Sequence, residues 1–203
     1  MKIICVARNY AAHARELNND LPQQPVLFLK PDTALKRKNL PFFLPDFSSN
    51  IHYETELVFR ICKTGKNIEE RFAMRYVDQV TVGIDFTARD LQEQQKRLGL
   101  PWEIAKAFDG SACIGDWRPL KQLGNTGSLN FHLTLNDRIV QRGTAADMIF
   151  PVSRLIAYAS RFFLLLEGDL LFTGTPEGVG SVQPNDVLRG YLNEEPVLEC
   201  RVK

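Results

Sequence analysis

The sequence has no closely spaced cysteine pair and no long hydrophobic run, and each absence excludes a class of protein. Its four cysteines, at positions 5, 62, 113 and 200, never show C-x-x-C spacing, which argues against a zinc ribbon, a thioredoxin-type pair and a disulfide scaffold. The longest apolar stretch, FFLLL at 162–166, is far below the ~20 residues needed to span a membrane. The N-terminal apolar run is too short for a signal peptide. We therefore expect a soluble protein in a reducing compartment, most simply the cytoplasm.

The sequence also lacks an excess of charge of either sign. Its 203 residues include 25 Lys and Arg against 24 Asp and Glu, and no basic run lies beside an aromatic array, so nucleic acid is not an expected partner. No G-K-[ST] follows the glycines of TGTPEGVG at 173–180, which excludes a P-loop. The length suits one globular domain, and no internal repeat divides it. A small molecule is the expected partner.

Short β-like runs outnumber the helical segments. Strands are predicted for KIICVA, QPVLFLKP, IHYETELVFR, QVTVGIDF and the hairpin SLNFHLTLNDRIVQRG. Helices are predicted for YAAHARELN, NIEERFAMRYV and PVSRLIAYASRFFLL. Another helix is predicted to start with Thr87 and Asp90, an S/T-x-x-[DE] signal, and to end at Gly99. Because the helices do not alternate regularly with the strands, we expect a β-rich α+β roll rather than a doubly wound sheet.

Two acids interrupt the otherwise apolar strand IHYETELVFR, residues 51–60. Side chains two residues apart in a strand share a face, so Glu54 and Glu56 point the same way. One interpretation is an edge strand with a solvent-exposed polar face. The other is a pair of ligands for a divalent cation, since two carboxylates this close raise each other's pKa unless a cation compensates. His52 shares this face and has no assigned role.

A third acid, Asp85, ends the apolar strand VTVGID just before the predicted helix. It could cap that helix. It could equally complete a ligand set with Glu54 and Glu56, because a carboxylate on a buried run needs something to hold it there. Three carboxylates without His or Cys suit a hard ion such as Mg²⁺, Mn²⁺ or Ca²⁺ rather than zinc or copper.

Other polar residues have positions that suit catalysis. His13 and Glu16, three residues apart on a predicted helix, form either a surface pair or a dyad in which the carboxylate orients a histidine general base. Lys106, in the apolar context WEIAKAFDG, either extends to solvent or stabilises an oxyanion of the substrate. Arg89 and Gln92 lie one helical turn apart.

Seven blocks of the sequence occur in the order and spacing of the fumarylacetoacetate hydrolase family, which the chain resembles over almost its whole length. The blocks are ARNYAAHARELN, PVLFLKP, IHYETELVF, VGIDFTARDLQ, LPWEIAKAFD, DMIFPVSRLIAYAS and GDLLFTGTPEGVG. The chain is most similar to the small single-domain acylpyruvases of that family. The resemblance implies a mixed β-roll, or pseudo-barrel, of the family's C-terminal-domain type. It also implies a single catalytic domain over residues 1–203 and a homodimer.

The resemblance further implies roles for particular residues. Glu54, Glu56 and Asp85 would be the metal ligands, and His13 with Glu16 would be a water-activating dyad on a mobile helical lid at about residues 8–20. The residues that would bind or line the substrate are Lys106, Arg89, Gln92, Thr175 and, as a neighbour, Lys30.

The activity implied by the resemblance is hydrolysis of the C–C bond of 3-acylpyruvates, which are 2,4-dioxo acids, to pyruvate and a carboxylate. The cofactor would be Mg²⁺ or Mn²⁺, with Ca²⁺ a further candidate. Decarboxylation of oxaloacetate would leave the same pyruvate enolate and would be a second activity. One alternative is an isomerase or tautomerase of unsaturated dioxo acids, of the 2-hydroxyhepta-2,4-diene-1,7-dioate isomerase type. Another is a metal-binding module without catalysis.

One residue departs from the family pattern at the start of the lid. Ala7 stands where the family usually has the glycine of Gly-Arg-Asn-Tyr. If this position needs a positive φ, alanine costs about 1 kcal/mol and shifts lid closure.

Overall fold

A computed structural model describes residues 1–16, 20–38 and 40–203. Its α-helices are α1 (Ala11–Glu16), α2 (Arg89–Leu98), α3 (Glu103–Lys106) and α4 (Val152–Phe162). Its strands are β1 (Ile3–Ala7), β2 (Val26–Lys30), β3 (Ile51–Tyr53), β4 (Thr55–Ile61), β5 (Val77–Asp85), β6 (Thr87–Ala88), β7 (Ala112–Ile114), β8 (Arg118–Pro119), β9 (Asn130–Leu135), β10 (Arg138–Thr144), β11 (Leu170–Phe172), β12 (Gly180–Ser181), β13 (Val187–Leu192) and β14 (Glu195–Arg201). The prediction of a strand-rich α+β fold is confirmed.

The largest sheet has seven strands, in the order β2-β1-β11-β4-β5-β7, with β8 beside β5. Strands β1 and β11 are parallel, whereas the other neighbours are antiparallel, so the sheet is mixed. A four-stranded sheet, β10-β9-β13-β14, and a three-stranded sheet, β12-β3-β6, complete the strand arrangement. This is the mixed sheet arrangement that the resemblance implies.

The centre of the large sheet is apolar on both faces. Leu57 and Phe59 of β4 pack into one core cluster, and Val58 between them packs into another together with Phe172. Gly83 of β5 makes room for this packing, because a Cβ there would lie 2.6 Å from Val58 Cγ2 and 2.9 Å from Phe172 Cε1. Since both faces are covered, acids at the ends of β4 and β5 lie inside the protein.

The chain changes sheets at Glu54. The sequence predicts one strand over residues 51–60, but β3 ends at Tyr53 and β4 begins at Thr55. Strand β3 pairs with β6 and β12, whereas β4 pairs with β5 and β11. The backbone N–H of Asp85 donates to the backbone C=O of Glu54 at 2.8 Å. Two of the expected metal ligands are therefore joined through their backbones.

Two predicted helices differ from the observed ones. Residues 70–76 form a 3₁₀ helix rather than an α-helix. Helix α2 begins at Arg89 with Ala88 as its N-cap residue, so the start signal at Thr87 is wrong. Thr87 lies in β6, and its hydroxyl donates to Glu54 Oε1 at 3.2 Å instead of capping the helix. The end at Gly99 is confirmed, since this residue is the C-cap with φ 66°.

The expected lid contains helix α1, and residues 17–19, near its end, lie outside the described residues. The segment 32–50 has a 3₁₀ turn at Asp32–Ala34 and isolated β-bridges at Leu35 and Phe42. No helix in the described part of the chain is long and apolar enough to cross a membrane.

Candidate metal centre and active site

Three buried carboxylates meet where β4 begins and β5 ends. Glu54, Glu56 and Asp85 each place an oxygen within 4.8 Å of the other two. These residues are only 6%, 2% and 1% exposed, so the alternative of a solvent-facing edge strand is wrong. Burial of three carboxylates costs free energy unless cations compensate for it. The cations around the cluster therefore decide what it can do.

The first cation is Lys106, at the end of α3. Its Nζ lies 2.8 Å from Glu54 Oε2 and 2.9 Å from Asp85 Oδ2, and it donates to Thr87 Oγ1 at 2.6 Å. Lys106 is 3% exposed, so extension to solvent is excluded. Burial alone would lower the pKa of Lys106, but Asp85 and Glu54 outweigh burial and raise it. Lys106 is therefore a fixed positive charge at the cluster.

The second cation is Lys30, at the end of β2. Its Nζ lies 2.8 Å from Asp85 Oδ1, donates to Ser111 Oγ at 2.9 Å and also donates to the backbone C=O of Lys106. The Lys30 side chain is fully buried, so it holds Asp85 from within the protein. Because Asp85 contacts two lysines and Ala88 is the N-cap of α2, the interpretation of Asp85 as a helix cap is wrong.

The third cation is Arg89, the first residue of α2. Its guanidinium donates to Glu54 Oε1 and, through its other terminal nitrogen, to Gln92 Oε1. Burial would raise the pKa of Glu54, but Lys106 and Arg89, with a smaller effect of His13, outweigh burial and hold that pKa well below its usual range. Glu54 is therefore ionised at neutral pH.

Glu56 differs from Glu54, although the two are only two residues apart. Among the described residues its hydrogen-bond donor is the backbone N–H of Gly174, 2.7 Å from Oε2. Burial, followed by the neighbouring carboxylate of Asp85, raises the pKa of Glu56 well above its usual range. The carboxylate that lacks a direct cationic partner is thus the one on which a bound metal ion would have the largest effect.

The two residues of the predicted dyad are in contact on α1, and their role in catalysis stays a prediction. Nδ1 of His13 lies 3.0 Å from Glu16 Oε2, and the other carboxylate oxygen of Glu16 accepts a hydrogen bond from the backbone N–H of Gly178 at 3.0 Å. His13 is buried, whereas the Glu16 side chain is 32% exposed. The pair therefore connects the helix to the glycine-rich loop at 173–180 and is more than a surface contact.

The backbone strain near the lid lies at Arg8 rather than at Ala7. Ala7 ends β1 and is not among the described residues with positive φ, whereas Arg8 has φ 59°. The cost expected from alanine in place of glycine therefore does not arise at Ala7. An L-residue in this left-handed region is disfavoured, so Arg8 is the residue whose conformation needs an explanation.

Most of the predicted site residues line one small cavity of about 30 Å³. Those that do are His13, Glu54, Glu56, Asp85, Arg89, Gln92, Lys106 and Thr175. The other two, Glu16 and Lys30, contact His13 and Asp85 instead. The cavity is also lined by residues that the sequence did not single out for it: Val6, Ala7, Arg8, Phe28, Lys96 and Trp102.

Another buried residue that supports the site, Gln141, gave no signal in the sequence. Its Oε1 accepts from the backbone N–H of Thr55 at 2.9 Å, and its Nε2 donates to Thr175 Oγ1 at 2.8 Å and to the C=O of Pro176 at 2.9 Å. It therefore ties the strand between the two glutamates to the glycine-rich loop. His52 lies 3.0 Å from the side-chain oxygen of Asn50 and does not line the cavity.

The carboxylate cluster fits a divalent metal ion. Its donors are oxygens alone, which suits a hard cation. Buried Oδ1 of Asp85 lies 2.8 Å from Lys30 Nζ but makes no well-aligned hydrogen bond with the described residues. Glu56 likewise has carboxylate lone pairs left to bind an ion, since among the described residues it accepts a hydrogen bond from the backbone N–H of Gly174. The residues that would hold the ion are therefore Glu54, Glu56 and Asp85.

Residues 2–203 match the family described as fumarylacetoacetate (FAA) hydrolase C-terminal. The chain is 38% identical to oxaloacetate tautomerase FAHD1, mitochondrial, of Mus musculus over 201 residues, which cover 99% of this chain and 91% of the relative. It is 40% identical to oxaloacetate tautomerase YcgM of Escherichia coli (strain K12) over 188 residues, 92% of this chain and 86% of that protein.

A solved structure is equally similar. The crystal structure of fumarylpyruvate hydrolase from Pseudomonas aeruginosa in complex with Mn²⁺ and pyruvate superimposes with a TM-score of 0.94 at 40% identity. The match covers 100% of this chain and 89% of that one. Proteins that are 38–40% identical to this chain thus carry two different reaction names, both for enzymes whose named substrates are 2-oxo acids.

Proposed function

Since the chain belongs to the fumarylacetoacetate hydrolase family, we propose that it is a divalent-metal-dependent enzyme that forms and protonates the enolates of 2-oxo acids. The main reaction is the interconversion of the enol and keto forms of oxaloacetate. The observation that supports it is a metal-type carboxylate cluster, a buried ammonium and a histidine–glutamate dyad around one cavity. The proposed ion is Mg²⁺ or Mn²⁺, and the Pseudomonas relative was crystallised with Mn²⁺.

Different residues of the cavity bind the substrate and stabilise its negative charge. When bound, the ion supplies a Lewis acid that polarises a carbonyl and stabilises negative charge on its oxygen. Lys106, whose ammonium is already held at the carboxylate cluster, adds a second positive charge for the developing oxyanion. Arg89 and Gln92 line the same cavity and orient the substrate carboxylate.

His13 moves the proton. Enol–keto interconversion transfers one proton between the C2 oxygen and C3, so it needs a base that can also return the proton. Glu16 engages Nδ1 of His13 at 3.0 Å, which leaves Nε2 to exchange the proton with the substrate. The carboxylate of Glu16 also fixes the orientation of the imidazole of His13. No water and no further reagent is consumed.

Hydrolysis of 3-acylpyruvates is the second candidate, and the same dyad favours it. His13 would take a proton from water as the water oxygen bonds to C4. The C3–C4 bond would break with its electron pair forming the pyruvate enolate, and the proton would return to C3. The products are pyruvate and a carboxylate. Loss of CO₂ from oxaloacetate would form the same enolate without water.

One set of assays separates these reactions. The loss of enol absorbance measures tautomerisation of oxaloacetate, and a lactate-dehydrogenase-coupled assay measures pyruvate formed from oxaloacetate or from acetylpyruvate. With Mn²⁺ we expect enol loss to be much faster than pyruvate formation, and a chelator should abolish it. Faster pyruvate release from acetylpyruvate would make hydrolysis the main activity. If no chelator-sensitive reaction is found, the proposal fails and a metal-binding module remains.

The oligomeric state and the cellular location of the protein remain predictions. The expected homodimer is tested by sedimentation of the purified protein, where a monomer mass would contradict it. Fractionation of the source cells tests the expected cytoplasmic location, since the mitochondrial designation belongs to the mouse relative and another relative is bacterial.

A further inference from the structure

Two cations at the cavity are left over after the buried charges are paired. Lys30, Lys106 and Arg89 contact the carboxylate cluster. Arg8 and Lys96 line the same cavity, but no carboxylate in residues 1–16, 20–38 and 40–203 lies within 4.0 Å of their charged groups. Both are half-buried, whereas Arg89 and Lys106 are buried. Arg8 and Lys96, which have no carboxylate partner among the described residues, therefore lie nearer the solvent than the cations of the cluster.

The position of Lys96 follows from helix α2. Arg89, Gln92 and Lys96 are spaced i, i+3 and i+7, so they share one face of the helix. Arg89 contacts Glu54 at one end of this row, and Lys96 begins roughly 10 Å further along the axis. Side chains of a helix lean toward its N-terminus, which directs Lys96 back along the row. Its Nζ lies 5.8 Å from the ring centroid of Trp102, another cavity residue.

The backbone conformation of Arg8 costs free energy, and hydrogen bonds made by the next residue hold it in place. Its φ of 59° lies in the region that L-residues avoid. The next residue, Asn9, fixes the turn, because its amide group donates to the C=O of Phe150 at 3.1 Å and of Thr173 at 2.8 Å and accepts from the N–H of Phe150 at 2.8 Å. A strained residue held by a buried network is a pattern of functional sites.

The positive charges of Arg8 and Lys96 also repel each other. Burial lowers the pKa of Lys96, and after burial the largest effects are the positive charges of Arg8 and then Arg89. An anion between Arg8 and Lys96 would remove this repulsion and form two charge-assisted hydrogen bonds. Two positive charges without a carboxylate partner in the described residues thus line the cavity that also contains the carboxylate cluster.

We propose that Arg8 and Lys96 bind the second carboxylate of a dicarboxylic 2-oxo acid. This inference rests on the proposed function, because it assumes that the first carboxylate and the 2-oxo group lie at the metal centre. It narrows the substrate class to acids with a carboxylate at the far end, such as oxaloacetate, over acids with an uncharged end, such as acetylpyruvate. Arg8 and Lys96 are specificity residues and take no part in proton transfer.

The test uses binding, so it does not depend on turnover. Calorimetry on the Mn²⁺-loaded protein measures the affinities for 2-oxoglutarate, which has a second carboxylate, and for pyruvate, which has none. The variants are Lys96→Gln and Arg8→Gln, with Arg97→Gln, at an exposed position on the same helix, as the matched control. We expect each of the first two variants to lower the ratio of 2-oxoglutarate to pyruvate affinity by about tenfold or more. Arg97→Gln should leave the ratio unchanged.

Further outcomes identify what fails. Lys96→Arg should keep most of the ratio, since it keeps the charge. A ratio that does not change in Lys96→Gln and Arg8→Gln, while Mn²⁺ affinity and circular dichroism show an intact protein, overturns the proposal. A wild-type protein that does not prefer 2-oxoglutarate overturns it as well. If the ratio falls as expected but oxaloacetate is not turned over, the proposed function fails and the carboxylate site stands.

Discussion

The floor of the cavity and the segment expected to be its lid are built differently. The floor consists of Glu54, Glu56 and Asp85, which lie at the ends of paired strands and are surrounded by buried cations from several elements. The expected lid contains helix α1 with His13 and Glu16, and the described hydrogen bond between this helix and the glycine-rich loop runs from Gly178 to Glu16. Ion pairs thus hold the floor, whereas α1 is held by the burial of His13 and Ala14 and by this one hydrogen bond to the loop.

This difference matches what the two regions would do in the proposed reaction. A metal centre needs fixed ligands, whereas a substrate must enter and a product must leave past the base. One hydrogen bond to the loop opens more easily than the ion pairs of the floor, so we expect α1 to be the element that moves. We therefore expect changes in the floor to affect stability and metal affinity, and changes in the lid to affect turnover.

The largest effect is expected from Asp85→Ala in the floor. This change leaves Lys30 and Lys106 buried with less compensating charge, which costs about 3–5 kcal/mol of unfolding free energy, and it removes a proposed metal ligand. Urea unfolding and Mn²⁺ titration measure the two losses. The control is Asp116→Ala, since Asp116 pairs with Lys38 at the surface and such a pair contributes at most about 1 kcal/mol. Similar losses in both variants would contradict a charge-stabilised floor.

The next largest effect is expected from a change in the expected lid. His13→Gln removes the proposed base, and the rate of oxaloacetate tautomerisation should fall on the order of 100- to 1,000-fold. Mn²⁺ affinity should stay within about threefold, because His13 is not one of the clustered carboxylates. Arg15→Gln, at an exposed position of the same helix, should retain the wild-type rate. A His13→Gln protein that loses metal affinity but keeps its rate would reverse the roles of the two regions.

The sequence predicted the three carboxylates of the floor better than the secondary structure around them. Alternation in a strand was enough to place Glu54 and Glu56 together, and a carboxylate ending the strand at Asp85 suggested the third member of the cluster. The break of the strand at Glu54 was not predictable, because it depends on β3 pairing in another sheet. The start of α2 was misplaced for a similar reason, since the hydroxyl of Thr87 contacts Glu54 and Lys106.

Residues that reach the site from far along the chain gave weak signals or none. Gln141 is an ordinary residue of a hairpin, yet it contacts Thr55 and Thr175, which are 86 and 34 positions away. Lys30 reads as the last residue of a strand, and its contact with Asp85 depends on the packing of β2. Lys96 reads as a solvated lysine, and only the cavity shows that it faces Arg8 and Arg89. Local patterns do not encode such distances.

A smaller effect sharpens the contrast between the two glutamates of the floor. Burial and then Asp85 raise the pKa of Glu56, so without metal this residue keeps a proton above its ordinary pKa of 4.5. A metal ion must displace that proton, and Mn²⁺ affinity should therefore rise with pH from that value up to the raised pKa, by at most about tenfold per unit. Glu54 does not add to this dependence, since its pKa is lowered. Mn²⁺ titration at several pH values measures the slope.

The control for this slope is Glu56→Gln, which cannot bind the proton. Its Mn²⁺ affinity should be weaker at every pH, and the slope should be much shallower than in the wild-type protein. A wild-type affinity that is constant over the same pH range would mean that Glu56 is already ionised without metal.

The smallest effect concerns the backbone that enters the lid. Ala7 lies in a strand without a positive φ, so Ala7→Gly should destabilise the protein by about 0.5–1 kcal/mol. Arg8 has φ 59°, and Arg8→Gly removes a strain of about 1–2 kcal/mol while adding the chain entropy of glycine, for a net gain of up to about 1 kcal/mol. Urea unfolding should thus show opposite signs for the same substitution at adjacent positions. Destabilisation by both would place the strain elsewhere, whereas a gain at Arg8 would show that its conformation is maintained at a cost in stability.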